Sequence, residues 1–266
     1  MKIGFIGCGN MGSALCSSAI KAVGSKDIYV SDFIEEKAKE FCDATGATHS
    51  SNEEIAKSCD YIFLGVKPQV MDKTIDEINH ILKNRADDFT VVSMAAGLSI
   101  EAIEKMIGLS VPVIRIMPNT PCKVGEGVVL YAPNDKVSAL KAEAFEKILS
   151  KCGTVDKIPE NLIDAASAVS GCGPAFVYLF IEALADGGVC CGLPRDKALS
   201  YAAQTVKGAA EMVLDTNLHP GSLKDAVCSP GGTTIEGVKA LEDGAFRATA
   251  MEAVTAAYEK TLKLKA

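Results

Sequence analysis

Residues 1–159 alternate short apolar runs with charge-faced helical segments. Residues 160–266 are Ala-rich helical segments parted by Gly- and Pro-containing breaks, and a glycine-rich turn directly follows the first apolar run. These three features predict a doubly wound α/β domain over 1–159 and an all-α domain over 160–266, because parallel strands need crossover helices that cover both faces of the sheet. At 266 residues, 48% hydrophobic and 23% charged, the chain can bury a real core and holds too little Gly and Pro for a fibrous or linker-like protein. A formal net charge of −7 argues against nucleic acid as a partner, since phosphate backbones demand clustered Lys and Arg.

Strands are expected at Lys2–Ile6, Ile28–Ser31, Tyr61–Val66, Thr90–Met94 and Val113–Met117, with further strands at Gly127–Tyr131 and Thr154–Val155. Helices are expected between them at Met11–Val23, Glu35–Thr45, Glu53–Ser58, Val70–Lys83 and Ile100–Ile107, several behind a Ser or Asn that caps free N–H groups. The second half reads as helices Leu162–Val169, Pro174–Cys191, Arg195–Thr216, Ser222–Val227, Thr234–Glu242 and Ala245–Lys263. The run from Ala175 to Ile181 is apolar most of the way round, and about a hundred residues of helix have little interior in which to hide it. An obligate oligomer is therefore expected.

The ten cysteines form no Cys-x-x-Cys pair and are accompanied by three His, so zinc has no ligand spacing and no metal is expected. They read as small buried hydrophobes in a reducing compartment. The Met1-Lys2 start runs directly into a strand-like segment, so no signal peptide is expected. The most apolar stretch, Ala175 to Leu193, is broken by Glu182, Asp186 and paired glycines, so a cytoplasmic protein without a membrane span is expected.

Gly7-Cys8-Gly9-Asn10-Met11-Gly12 places G-x-G-x-x-G between the first strand and the first helix. In that setting Gly7 permits the tight turn, Gly9 lets backbone approach a pyrophosphate, and Gly12 allows close helix–strand packing, while the helix start offers N–H donors. The residue that reads the adenosine ribose belongs about twenty positions later, at the end of the second strand, where Ser31 and Asp32 stand. Asp32 either starts a turn or accepts from the ribose hydroxyls. A carboxylate there repels a 2′-phosphate by roughly 4 kcal/mol per charge pair at contact at an effective dielectric near 20. With Lys37 the only nearby cation, NADH should serve at least as well as NADPH.

Three further segments close strands where open α/β sheets bind ligands: Gly65-Val66-Lys67-Pro68, Ser93-Met94-Ala95-Ala96-Gly97 and Met117-Pro118-Asn119-Thr120-Pro121. A fourth, Ser229-Pro230-Gly231-Gly232-Thr233-Thr234, lies in the helical half. Together with Ser170-Gly171-Cys172-Gly173-Pro174-Ala175 and His219-Pro220-Gly221, these motifs make the chain resemble the Δ1-pyrroline-5-carboxylate reductase family over essentially its whole length. The resemblance implies a Rossmann-type domain, an all-α dimerisation domain, and NADPH- or NADH-dependent reduction of a cyclic imine to L-proline by a homodimer, often built into a ring of dimers. It also implies cofactor contacts at Ile6, Gly7, Cys8, Gly9, Asn10, Met11, Asn52, Gly65, Val66, Lys67, Pro68, Met94, Ala95 and Ala96. Substrate contacts are implied at Val227, Ser229, Gly232, Thr233 and Thr234. Many members carry Asn-Arg or a similar pair where this chain has Asp32-Phe33, which bears on the phosphate preference.

Imine reduction asks chiefly for positioning, and no strong general acid is needed if the substrate binds as the iminium. Thr233 and Glu236 have the spacing of a capping box, which gives Thr233 a structural task and leaves the Thr234 hydroxyl as the candidate catalytic partner of the ring nitrogen. Asn52 fits an N-cap or a cofactor contact equally well, while Lys67, which could be a solvated charge, stands between Val66 and Pro68 at a strand end, a place that favours a cofactor contact. Asn119 and Thr120 fit a simple turn between prolines. An alternative enzyme, a β-hydroxyacid dehydrogenase or another imine reductase, shares this architecture, but alcohol oxidation uses a central-helix Lys and Gly171 to Asp186 contains none. A regulator that binds NAD(P)H without turnover would have little use for Ser229 to Thr234.

Overall fold

The computed structural model describes residues 1–263 and divides the chain into two compact units, Met1–Cys172, with which the residues from Tyr258 onward are grouped, and Gly173–Ala257. In the first unit, β1 (Ile3–Ile6), β2 (Ile28–Ser31), β3 (Thr48–His49), β4 (Tyr61–Leu64), β5 (Thr90–Ser93), β6 (Val113–Pro118), β7 (Gly127–Pro133) and β8 (Gly153–Lys157) form one sheet in the order 3-2-1-4-5-6-7-8. Neighbours are parallel except β6 and β7, which return antiparallel through the tight 3-10 turn Thr120–Val124. Strand order reverses beside β1, so the ends of β1 and β4 open onto a switch point.

Side chains alternate across this sheet as a period of two requires. Ile3, Phe5, Tyr61 and Phe63 face one layer with Leu15 of α1 (Asn10–Val23), Ala38 of α2 (Glu35–Thr45) and Phe145 of α6 (Ala139–Leu149). Ile6, Ile62 and Leu64 face the other, with Ile55 of α3 (Asn52–Ser58), Ile75 of α4 (Pro68–Asn84), Ile103 of α5 (Ile100–Ile107) and Ile163 of α7 (Ile163–Ser170). Phe5 stacks on Phe63 at 4.5 Å between centroids, and Phe145 lies 6.3 Å from Phe63 and 5.0 Å from Tyr131. Full burial of each such ring contributes about 1.5–3 kcal/mol. The helix ends follow local chemistry. Ser51, Ser99 and Ser138 cap α3, α5 and α6, Pro68 opens α4, and Gly46 and Gly108 close α2 and α5 in the left-handed region.

Two elements go beyond the sequence expectation. The edge strand β3 has two residues and exists through its pairing with β2, and α6 hides its apolar stripe among alanines. The compact units part at Cys172/Gly173, because α7 packs on the sheet. Ile163 is core, and Asp164 accepts from the buried Arg115 Nη2 at 2.7 Å. Glu160 Oε1 approaches Arg115 Nη1 at 3.4 Å and accepts from the Ile100 N–H that opens α5 at 2.7 Å.

The second unit contains α8 (Gly173–Cys190), α9 (Arg195–Thr216), α10 (Pro220–Ala226), α11 (Thr233–Asp243) and α12 (Phe246–Lys263), the last running past the unit's boundary. Its buried core is three alanines, Ala185, Ala198 and Ala202, packed with Ile181 and Val189, and Phe180 meets Phe246 at 5.5 Å. Leu179, Leu214 and Met251 are 68%, 71% and 67% exposed in the single chain.

Replacing Asp164 with Ala removes the shorter of the two ion pairs of the buried Arg115 guanidinium and leaves it the 3.4 Å approach of Glu160, which should cost about 3 kcal/mol, the lower end for breaking a buried pair, read as a lowered urea midpoint at fixed protein concentration. The double change Arg115→Leu with Asp164→Leu should cost less than the single one.

Candidate functional site

At the carboxyl edge of the sheet β1 ends in Gly7, whose φ of +99° belongs to glycine and whose N–H donates to Ser31 O at 2.8 Å. A Cβ on Gly7 would lie 2.8 Å from Gly65 O, and one on Gly12 would lie 2.1 Å from Gly7 O, so the first helix and the loop after β4 both press on this turn. Gly9, by contrast, faces open space where a Cβ would stand. Gly9 is also the N-cap of α1 and offers no side-chain cap, so no capping side chain takes up the N–H groups of the first turn. Beside them opens a cleft of about 530 Å³, lined by Cys8, Asn10, Ser13, Lys37 and Phe41 among others. An open glycine face, an uncapped helix start and adjoining space are what a pyrophosphate and its ribose need, so these residues fit a dinucleotide.

Asp32 both starts a turn and clamps this one. Its Oδ2 accepts from Cys8 N–H at 2.7 Å and its Oδ1 from Ile34 N–H at 3.0 Å, so the turn reading is correct as far as it goes. Each oxygen keeps acceptor capacity for a hydroxyl. Burial, reinforced by the Asp32 charge, pushes the Cys8 thiol up to about 11, which keeps an anionic thiolate out of the cradle. Asn52 is not the cap of α3: Ser51 accepts from Glu54 N–H at 3.2 Å, which frees the Asn52 amide to bond Ser31 and Glu77.

The other expected cofactor residues gather on the same edge. Ile6 ends β1 and Gly7 to Met11 follow it, Ser31 ends β2 with Asp32 next to it, Gly65 to Pro68 follow β4, and Met94 to Ala96 follow β5, with neighbouring strands bringing the four groups side by side. Lys67 is exposed at the start of α4 with no side-chain cap role, while Ala95 is buried. In the Met117–Pro121 segment the Asn119 side chain serves the fold. Asn119 is buried, donates from Nδ2 to Ser170 O and accepts at Oδ1 from Val128 N–H, both at 2.9 Å.

The expected substrate residues lie in the helical unit, at the α10–α11 junction. His219 caps α10 by accepting Gly221 N–H at Nδ1 at 3.0 Å. Ser229 to Gly232 make a tight turn, with Gly232 N–H donating to Ser229 O at 3.0 Å and Gly231 at φ +66°. The capping box expected of Thr233 and Glu236 does not form. Gly232, in extended conformation, takes the cap position, so Thr233 and Thr234 are the first two helical residues and both are exposed. Neither hydroxyl caps the helix, and the start of α11 has no side-chain cap. Val227 is exposed just before this turn. Sequence reasoning passed over Glu77 and Phe41; an exposed Glu on α4 and a half-buried Phe on α2 carry no local signal of a site.

Residues 160–264 match the family described as pyrroline-5-carboxylate reductase dimerisation, and residues 2–97 match NADP oxidoreductase, coenzyme F420-dependent. The chain is 43% identical over 266 residues to pyrroline-5-carboxylate reductase of Escherichia coli (strain K12), covering 99% of this chain and 98% of that protein. A crystal structure of the Plasmodium falciparum pyrroline carboxylate reductase with NADP bound superposes with a TM-score of 0.86 at 37% identity, covering 100% of this chain and 98% of that one. The Coxiella burnetii pyrroline-5-carboxylate reductase gives 0.92 at 32% identity, with the same coverage. A likeness that runs unbroken through the glycine turn, the α/β sheet and the helical unit establishes that this chain belongs to the pyrroline-5-carboxylate reductase family.

Proposed function

We propose that this chain reduces the C=N bond of 1-pyrroline-5-carboxylate to L-proline, with NADPH or NADH as the reductant. The observation that carries this reading is that its likeness to pyrroline-5-carboxylate reductases spans both the glycine turn and the Ser229–Thr234 turn. The bound cofactor supplies a hydride for the imine carbon.

The chain's own residues supply position. Gly7 to Met11 and the start of α1 hold the pyrophosphate, Ser31, Asp32 and Asn52 hold the adenosine end, and Gly65 to Pro68 with Met94 to Ala96 hold the nicotinamide end. The N–H groups opening α11, with Ser229, Gly232 and Thr233, bind the substrate carboxylate; Val227 supplies an apolar wall. The Thr234 hydroxyl, free of any capping role, hydrogen-bonds the ring nitrogen. Near-attack positioning is worth on the order of 7–11 kcal/mol, which suits a site whose motifs contain no acid dyad.

The proposal includes a homodimer, with a ring of dimers as its extension, and residence in the cytoplasm. Ten free cysteines support a reducing compartment. Among the described residues the helical stretch 160–190 is long and apolar enough, on length and composition alone, to cross a bilayer. Its match to a dimerisation domain supports protein, rather than lipid, as the cover for that surface.

In an absorbance assay at the nicotinamide band, pyrroline-5-carboxylate should be reduced while a panel of hydroxyacids is not oxidised; turnover confined to hydroxyacids would select the dehydrogenase reading. Because Asp32 disfavours a 2′-phosphate, kcat/KM with NADH should at least equal that with NADPH, and a strong NADPH preference would remove Asp32 from that role. Thr234→Ala should lower kcat/KM at least tenfold, about the value of one hydrogen bond to a charged group, with its melting temperature nearly unchanged. Light scattering should find dimers or larger species, and a stable active monomer at low concentration would contradict the assembly.

A further inference from the structure

Asn52, the first residue of α3, is held from two sides. Ser31 Oγ donates to its Oδ1 at 2.5 Å, and its Nδ2 donates to Glu77 Oε2 at 2.8 Å. The two partners differ in what they can accept. A hydroxyl donates or accepts, so Ser31 suits either orientation of the amide. A carboxylate only accepts, so Glu77 draws the amide nitrogen towards itself and turns the amide oxygen towards Ser31. Ser31 is tied in turn to the glycine turn, since its carbonyl accepts from Gly7 N–H and it stands in register with Ile6. This relay therefore runs from α4 to the edge where β1 and β2 end, and among the described residues the second N–H of the Asn52 amide has no acceptor.

We infer that Glu77 is a positioning residue for the cofactor, orienting Asn52 so that its remaining N–H faces an oxygen acceptor of the bound dinucleotide. The inference rests on the NAD(P)H reading above. Glu77 itself touches no reacting atom and acts through Asn52. A bare helix-to-helix staple between α3 and α4 would use the same Asn52–Glu77 bond but would add stability without affecting affinity.

NADH binding can be titrated by the coenzyme's own fluorescence, excited at the nicotinamide band where unmodified protein side chains do not absorb. Glu77→Ala should raise the Kd for NADH about fivefold, the scale of one modest hydrogen bond. Glu77→Gln, which retains an acceptor, should recover most of that loss. In steady state Glu77→Ala should raise KM for NADH while kcat and the imine KM stay put. In an Asn52→Ala background the same change should have no further effect on Kd, because its route is already cut. An unchanged Kd beside a lowered melting temperature, or an equal loss in both backgrounds, would overturn the role assigned to Glu77. Failure of the parent chain to bind NADH or NADPH would overturn the cofactor reading and this inference together, whereas normal parental binding with an indifferent Glu77→Ala variant would overturn this inference alone.

Discussion

The closeness of two backbone turns at the carboxyl edge of the sheet governs the arrangement of the cofactor side. Gly7 and Gly65 meet with no room for a Cβ between them, and Gly12 brings the first turn of α1 down onto Gly7 O. A methyl group at Gly12 would sit 2.1 Å from that oxygen, so α1 would have to lift off the strand. Because it cannot lift, its uncapped N–H groups stay at the end of β1, next to Asp32 and Ser31. The positive end of the helix and the acidic residue at the end of β2 are thus set by one steric condition.

The two units have opposite relations to their own apolar surface. The α/β unit satisfies itself, with both faces of the sheet covered by helices and the Phe5–Phe63–Phe145 rings sealed beneath them. The helical unit buries three alanines and leaves Leu179, Leu214 and Met251 uncovered. The match of residues 160–264 to a dimerisation domain gives these exposed apolar side chains a second copy of the chain as their cover. The proposed cofactor site thus lies in the self-sufficient unit, and the proposed substrate turn in the one that depends on a partner.

Much of this was legible in the chain because its signals are local. Glu35–Thr45, Ile100–Ile107 and Arg195–Thr216 were bounded to the residue, since Gly46, Gly108 and Asn217 each end their helix in the left-handed region. Capping was less legible where two candidates adjoin. Ser51 rather than Asn52, and Gly232 rather than Thr233, took the cap positions, because backbone conformation at the junction decides which residue stands half out of the helix. The strand β3 and helix α6 escaped notice for a related reason: two residues have no periodicity, and an Ala-rich helix has a weak stripe.

The sequence alone determined the order of strands and helices, the glycine turn with its acidic residue at the end of β2, and the family motifs, all of which depend on residues near one another along the chain. Only the tertiary structure decided that Arg115 would find Asp164 across 49 positions, that Asn119 would hold Ser170 across 51, and that Asn52 would be oriented by Glu77 across 25. Such pairs have no spacing rule. Their partners become neighbours only when the helices cross over the sheet, and the buried Arg115 and Asn119 must then bond to whatever donor or acceptor that packing places beside them.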